Sequence, residues 1–227
     1  MTDFGSDKSD TRLSEAHHRI ANNLALIAGF VRLQSSKVSK DQLALSAADV
    51  CMMLQEVGVR IETVGRLHHL LGTRTTGGQV DLGDYLEATC QILSQSVCAN
   101  RAVTLRCDAR SCSIAPDKAG LIGLVVAELV TNSVKYAHPG GAPGQIDVAC
   151  YSDLDGGLTV AVVDDGVGLP DSFDPATDGG LGMRVIRSLV RQLEGEIDFQ
   201  SGGLGLAVTI TAQTADARGA PAFATVN

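Results

Sequence analysis

Two stretches near the N-terminus repeat apolar or near-apolar residues at alternating steps of four and three, and that spacing constrains the chain more than any other feature. The first runs through Leu13, His17, Ile20, Leu24, Ile27 and Val31, the second through Leu43, Ala47, Val50, Leu54, Val57, Ile61, Val64, His68 and Leu71. A mean step near 3.5 keeps every one of these residues on a single seam of an α-helix. The polar stretch SSKVSKD at 35–41 separates the two runs, so the pair reads as a helical hairpin. One hairpin cannot cover so long an apolar stripe. A symmetric dimer forming a four-helix bundle is the economical way to bury it.

The pattern changes at LGTRTTGGQVDLG, residues 71–83, where the glycines and threonines place a domain boundary near residue 76. Beyond it the spacing predicts a helix around 81–98, strand-like runs at 102–107 and 113–116, and a helix around 117–137. Strands at 145–151 and 158–164, a helix around 181–193 and strands at 195–201 and 204–212 follow. Helices interrupting a largely antiparallel set of strands predict an α+β two-layer sandwich. The expected division is a tail at 1–10, the hairpin domain at 11–76, the sandwich at 77–212 and a second tail at 213–227.

Charge and composition exclude several functions. Lys plus Arg is 18 against 26 for Asp plus Glu, a net charge of −8, which argues against a nucleic-acid groove. No uninterrupted apolar run approaches the roughly 20 residues of a membrane span, and the N-terminus MTDFGSDKSD is polar, so the expectation is a cytoplasmic protein without a membrane partner. The six cysteines form no CxxC pair, which suggests neither a zinc site nor a disulfide framework. Most are expected to be small buried hydrophobes.

Four motifs carry chemistry. In AHHRIANNL (16–24) His17 falls on the seam and His18 on its flank, where an imidazole nitrogen can attack a phosphoryl group. Asn22 follows one turn later on the same face, placed to orient a water or a phosphoryl oxygen. In AELVTNSVKYAHP (127–139) Glu128, Asn132 and Lys135 share one helix face, a carboxylate, an amide and an ammonium that suit hydrated Mg²⁺ and the phosphates it bridges. In VVDDGVGLP (162–170) Asp164 ends a strand and can accept a hydrogen bond from an exocyclic amine such as that of adenine, with Gly166 and Gly168 allowing close approach. In DGGLGMRVI (178–186) a glycine loop opens a helix whose N-terminus can face an anion. Singly, each motif also fits a plainer role: a polar helix face, an amphipathic helix, an Asp-Gly turn, a flexible loop.

In this order the four are far more specific, and the chain resembles the core of bacterial sensor histidine kinases. The most similar subgroup is the one whose phosphoacceptor region reads HRxxNNL. EAHHRIANNL resembles the phosphoacceptor box, ELVTNSVKYAHP the N box, DDGVGLP and GGLGM the two glycine boxes, and VGVRIETVGRLHHLL the end of the second dimerisation helix. The likeness covers about residues 12–212. The related subgroup with a His before the N-box Glu and a Trp motif is less similar, since this chain has Ala127 there and no Trp.

The resemblance implies a Bergerat-type ATP-binding sandwich over 80–212, ATP and Mg²⁺ as cofactors, and His18, Asn22 and Glu128 as the catalytic set, with His18 phosphorylated. Asn132 would ligate Mg²⁺ with help from Glu128, Lys135 would meet the phosphates, Tyr136 would lie near the adenine, and Asp164 would read its amine. Gly166, Gly168, Gly180 and Gly182 would form the floor and hinge of a short, mobile ATP lid between Gly168 and Gly180, with Leu181 also among the nucleotide-binding residues. The implied partners are a second copy of the chain and a response-regulator receiver domain. Only about 12 residues precede the first helix, so either the chain is a truncated kinase core or its signal arrives from a separate sensor protein. Three other readings stay open: a phosphotransfer protein that makes little use of ATP, a response-regulator phosphatase on the same scaffold, and a protein-sequestering switch built on the ATP domain.

Overall fold

The computed structural model describes residues 46–99, 101–153 and 156–214. The first expected helix, with His18 and Asn22, lies outside the described residues. The chain divides into two compact units, Met1–Gly65 and Arg66–Asn227.

Helix α1, Ala47–Arg74, begins in the first unit and ends in the second. In the first unit the expected seam positions Val50, Leu54 and Ile61 are 41%, 66% and 37% exposed. In the second unit Leu67 and Leu71 are buried, and a Cβ on Gly120 would come within 3.2 Å of the Leu71 side chain. Thr73 and Thr75 turn their hydroxyls back onto the carbonyls of Leu70 and Leu71 as the helix ends. A tight turn follows, closed by paired Thr76 and Gln79 backbone bonds of 2.9 and 3.1 Å, with φ of 60° at Gly77 and 80° at Gly78. Two consecutive positive φ values are a type I′ signature, which only glycine or a few small polar residues meet without strain.

Strand β1, Val80–Asp81, was not expected from the sequence. It pairs antiparallel with β3, Ser113–Ile114. Asp81 then caps helix α2, Leu82–Ser96, by accepting the Asp84 N–H at 3.0 Å. A five-stranded sheet holds β2 (Val103–Ala109), β4 (Gly144–Ser152), β5 (Gly157–Asp164), β6 (Glu196–Gly202) and β7 (Gly205–Gln213) in the order β2-β4-β5-β7-β6. Helix α3, Pro116–Tyr136, and helix α4, Leu181–Gln192, complete the unit. The two-layer α+β sandwich is as expected. The sheet departs from a purely antiparallel arrangement at one place, where β2 runs parallel to β4. That pairing needs a crossover, and α3 lies within it.

The core forms where α3 meets the sheet's inner face, with Ile122, Val125 and Val126 buried, as are Ile146, Val148, Val160 and Val162 of the strands. By length and composition α3 could cross a membrane, but most of it is buried within the sandwich, as suits a core helix. Tyr85 of α2 is fully buried, and a Cβ on Gly123 of α3 would come within 2.6 Å of its hydroxyl. Burial pushes this phenol well above its ordinary pKa. Cys90, Cys98, Cys112 and Cys150 are buried and unpaired, and burial pushes the Cys150 thiol up to about 12. They behave as the small hydrophobes expected of them.

Candidate nucleotide site

The site is built where β5 ends beside the last turns of α3. Inward-facing positions of β5 are Leu158, Val160, Val162 and then Asp164, so the strand's period of two delivers a carboxylate into the buried register. Asp164 is only 5% exposed. Its Oδ2 accepts the Ser133 hydroxyl at 2.7 Å, and its Oδ1 accepts the backbone N–H groups of Gly166 at 3.1 Å and Leu206 at 3.2 Å. A carboxylate offers about four acceptor positions. These three donors leave one on Oδ2 for the N–H of a ligand. The alternative of an Asp-Gly hairpin turn does not hold, because β5 pairs with β4 and β7 and the chain runs on into a loop and α4.

Glycines allow the backbone to close around this carboxylate. A Cβ on Gly166 would lie 2.4 Å from the Ala137 carbonyl oxygen, which itself accepts the Val167 N–H at 2.9 Å. Gly168 has φ of +73°, and its Cβ would meet the Ser201 hydroxyl at 2.7 Å, the hydroxyl that accepts the Leu169 N–H. Gly205 is the most constrained: φ is +121°, and a Cβ would fall 1.8 Å from the Asp164 carbonyl oxygen.

Along α3 the expected row grades from core to surface. Glu128 is 7% exposed, Asn132 is half-buried, and Lys135 and Tyr136 are exposed, Tyr136 by 69%. The buried carboxylate at the inner end departs from a polar solvent face, whereas Lys135 and Tyr136 fit one. Among the described residues no group of three or more His, Cys, Asp or Glu could hold a metal. One amide and one carboxylate fall short of an all-protein cage, so any Mg²⁺ there would be held mainly through waters and phosphates, the manner in which that ion is usually bound.

The second aspartate of the motif faces the other way. Asp165 Oδ1 accepts the Gln145 N–H at 2.8 Å and lies 2.9 Å from His138 Nε2. The Gln145 bond, opposed by slight burial and aided by His138, holds its carboxyl below the ordinary value of 3.8. The His138 ring lies over Gly144, where a Cβ would come within 2.0 Å of it.

Between Leu169 and Gly180 the expected lid has a fold of its own. Asp174 accepts the Ala176 N–H and the Thr177 hydroxyl, both at 2.9 Å, and its own N–H donates to the Asp178 carboxylate at 3.0 Å. The Asp178 N–H closes the turn on the Asp174 carbonyl at 2.7 Å. At the far end Gly179 carries the positive φ, +97°, while Gly180 has φ of −77° and caps α4, which Leu181 opens and Gly182 continues, buried. The backbone position that requires glycine thus lies one residue before the expected hinge. Ser133, Leu206 and Gly205 were not singled out from the sequence. Ser133 stands beside Asn132 in the motif, but Leu206 and Gly205 come from a strand some 40 residues on, where no local pattern marks them.

Comparison with known families decides the chain's affiliation. A model described as histidine kinase matches residues 15–97, and one described as histidine kinase-like ATPase domain matches residues 92–212. The chain belongs to the histidine kinase family. Blue-light-activated histidine kinase 2 of Erythrobacter litoralis is 29% identical over 205 residues, 88% of this chain and 56% of that protein. Sensor histidine kinase PdtaS of Mycobacterium tuberculosis is 27% identical over 193 residues, 84% of this chain and 37% of that protein. The chain thus spans about half or less of the length of these two curated relatives. The histidine kinase domain of a blue-light-activated kinase from Erythrobacter litoralis superposes with a TM-score of 0.67 at 27% identity, covering 92% of this chain and 93% of that one. Acinetobacter baumannii AdeS, at 15% identity and a TM-score of 0.53, shares the fold. The kinase-family ATPase domain therefore coincides with the sandwich that carries Asp164, and the histidine kinase match includes His18 and α1.

Proposed function

We propose that this chain is an ATP-dependent protein-histidine kinase core, which phosphorylates His18 and passes the phosphoryl group to an aspartate of a response-regulator receiver domain. The observation that carries the reading is the buried Asp164 carboxylate, held by three donors with one acceptor position left for an amine N–H, beside the Glu128–Asn132–Lys135 row. A base held there by Asp164 and Tyr136 would direct its phosphates toward Asn132 and Lys135. Mg²⁺ bound at Asn132 with Glu128 would offset phosphate charge. In the transfer a His18 ring nitrogen forms a bond to the γ-phosphorus while the bond to the ADP oxygen breaks. Asn22, one turn on, is assigned to orienting the phosphoryl oxygens or a hydrolytic water.

The exposed seam residues Val50, Leu54 and Ile61 support a homodimer through the hairpin. A cytoplasmic location completes the proposal. The test is incubation of the protein with γ-labelled ATP and Mg²⁺ beside His18→Ala. An acid-labile, base-stable label absent from the variant is expected. Label persisting in the variant overturns the assignment of His18, and no label on folded wild type moves the function to phosphotransfer or phosphatase chemistry.

A further inference from the structure

Arg187 stands in the second turn of α4, outside every motif assigned above, and its guanidinium reaches out of the helix into the loop that precedes it. Its Nη1 donates to the Pro175 carbonyl at 2.6 Å and to the Asp178 carbonyl at 2.9 Å. Those two carbonyls lie within and at the end of the single turn that Asp174 and Asp178 build. A helical turn leaves its last carbonyls without intrahelical donors. Here the loop's own aspartates serve the start of the turn, and one side chain from α4 serves its carbonyls. The Asp174 carboxylate also feels the Arg187 charge, which adds to the pull of the Ala176 N–H and Thr177 hydroxyl in holding its carboxyl below the ordinary value.

We propose that Arg187 is the positioning residue of the ATP lid, a tether that holds the 169–180 segment in a built conformation before nucleotide arrives. The inference rests on the ATP-binding reading of the site and deepens it. Arginine suits the task because the two N–H bonds of Nη1 are fixed in the guanidinium plane and can each serve one carbonyl, which a freely rotating amine does less well. Gly180 caps α4 and Gly182 lies in its first turn, so a bond from the second turn back to Pro175 and Asp178 closes the chain on itself and fixes where the segment leaves the glycines. A segment ordered in advance costs a ligand less ordering entropy on binding. Arg187 therefore acts on nucleotide affinity through the lid, without touching the reacting atoms.

The experiment compares wild type, Arg187→Ala, Arg187→Gln and Arg187→Lys by two measurements. The first is limited proteolysis of the nucleotide-free protein, with the cleavage sites mapped by mass spectrometry. Arg187→Ala is expected to raise cleavage within 169–180 about ten-fold while cleavage elsewhere and the circular dichroism spectrum stay unchanged. The second is ATP binding by calorimetry, in which the alanine variant is expected to bind roughly ten-fold more weakly. Arg187→Gln, which keeps N–H donors without the charge, is expected to recover part of both effects, and Arg187→Lys a part as well. Lid cleavage in the alanine variant equal to wild type overturns the tether, as does equal ATP affinity for all four proteins. Wild type that shows no ATP binding refutes the proposed function instead, and the nucleotide-free proteolysis still decides whether Arg187 holds the segment. If the alanine variant unfolds, the glutamine and lysine variants carry both measurements.

Discussion

The two ends of the candidate nucleotide site are built on different principles. At Asp164 the parts come from four separate places, β5, α3, the glycine turn and β7, and the carboxylate is almost fully enclosed. The 169–180 segment is held instead by short-range bonds among its own residues, most of them exposed, by Ser201 of β6 at its first residue and by Arg187 from the next helix. On the proposed function, the base end could not move without breaking the sandwich, whereas the lid would open at the cost of a few surface hydrogen bonds. Such a difference lets a protein hold one end of a ligand rigidly while the other end is covered and uncovered.

The largest effect that would break this comparison is expected from Gly205→Ala. The new methyl would collide with the Asp164 carbonyl at a positive φ, so a loss of about 3 kcal/mol or more in unfolding free energy is expected, read by chemical denaturation. An unchanged midpoint would mean that β7 does not clamp the base end. Asp164→Asn comes next. It keeps the shape but replaces an acceptor with a donor-acceptor group, so ATP affinity should fall by about 2–3 kcal/mol, or roughly 30- to 150-fold, in calorimetry. Ser133→Ala removes one donor from a carboxylate that keeps two others, and the expected loss of affinity is about 1 kcal/mol, close to five-fold.

The smallest effect concerns acid. Asp174, held down first by the Ala176 N–H, has a folded pKa below 3.8, so its contribution to lid order is complete above that value and is lost as pH falls through the lower folded value. Opening of 169–180 should therefore be flat between about pH 7 and 5 and rise only below about 4, as amide hydrogen exchange in that segment, corrected for the intrinsic exchange rate at each pH, would show. A rise already near pH 6 would point to a different group.

Much of this was legible in the sequence, for physical reasons. The α3 and β5 boundaries fall within a residue of expectation because their apolar periods are long and unbroken. The Gly/Thr break is a real turn because glycine adopts without strain the two consecutive positive φ values found there. The parallel β2–β4 pair was not legible, since a strand's own residues do not record the direction of its neighbour. Strand β1, only two residues long, carries no period at all. At the site, Asp164 announced itself as a polar residue at an apolar register. Its partner Leu206 did not, because the bond uses a backbone N–H that every residue except proline possesses.

That last bond bears on how the protein comes into being. Leu206 lies 42 residues beyond Asp164, and it is supplied by the final strand of the sheet. A ribosome that has made everything through α4 has already released the whole phosphate-facing row, yet the carboxylate still lacks one of its donors and the sheet lacks the strand beside β5. On the proposed function, nucleotide capture would therefore wait until synthesis of the domain is all but finished.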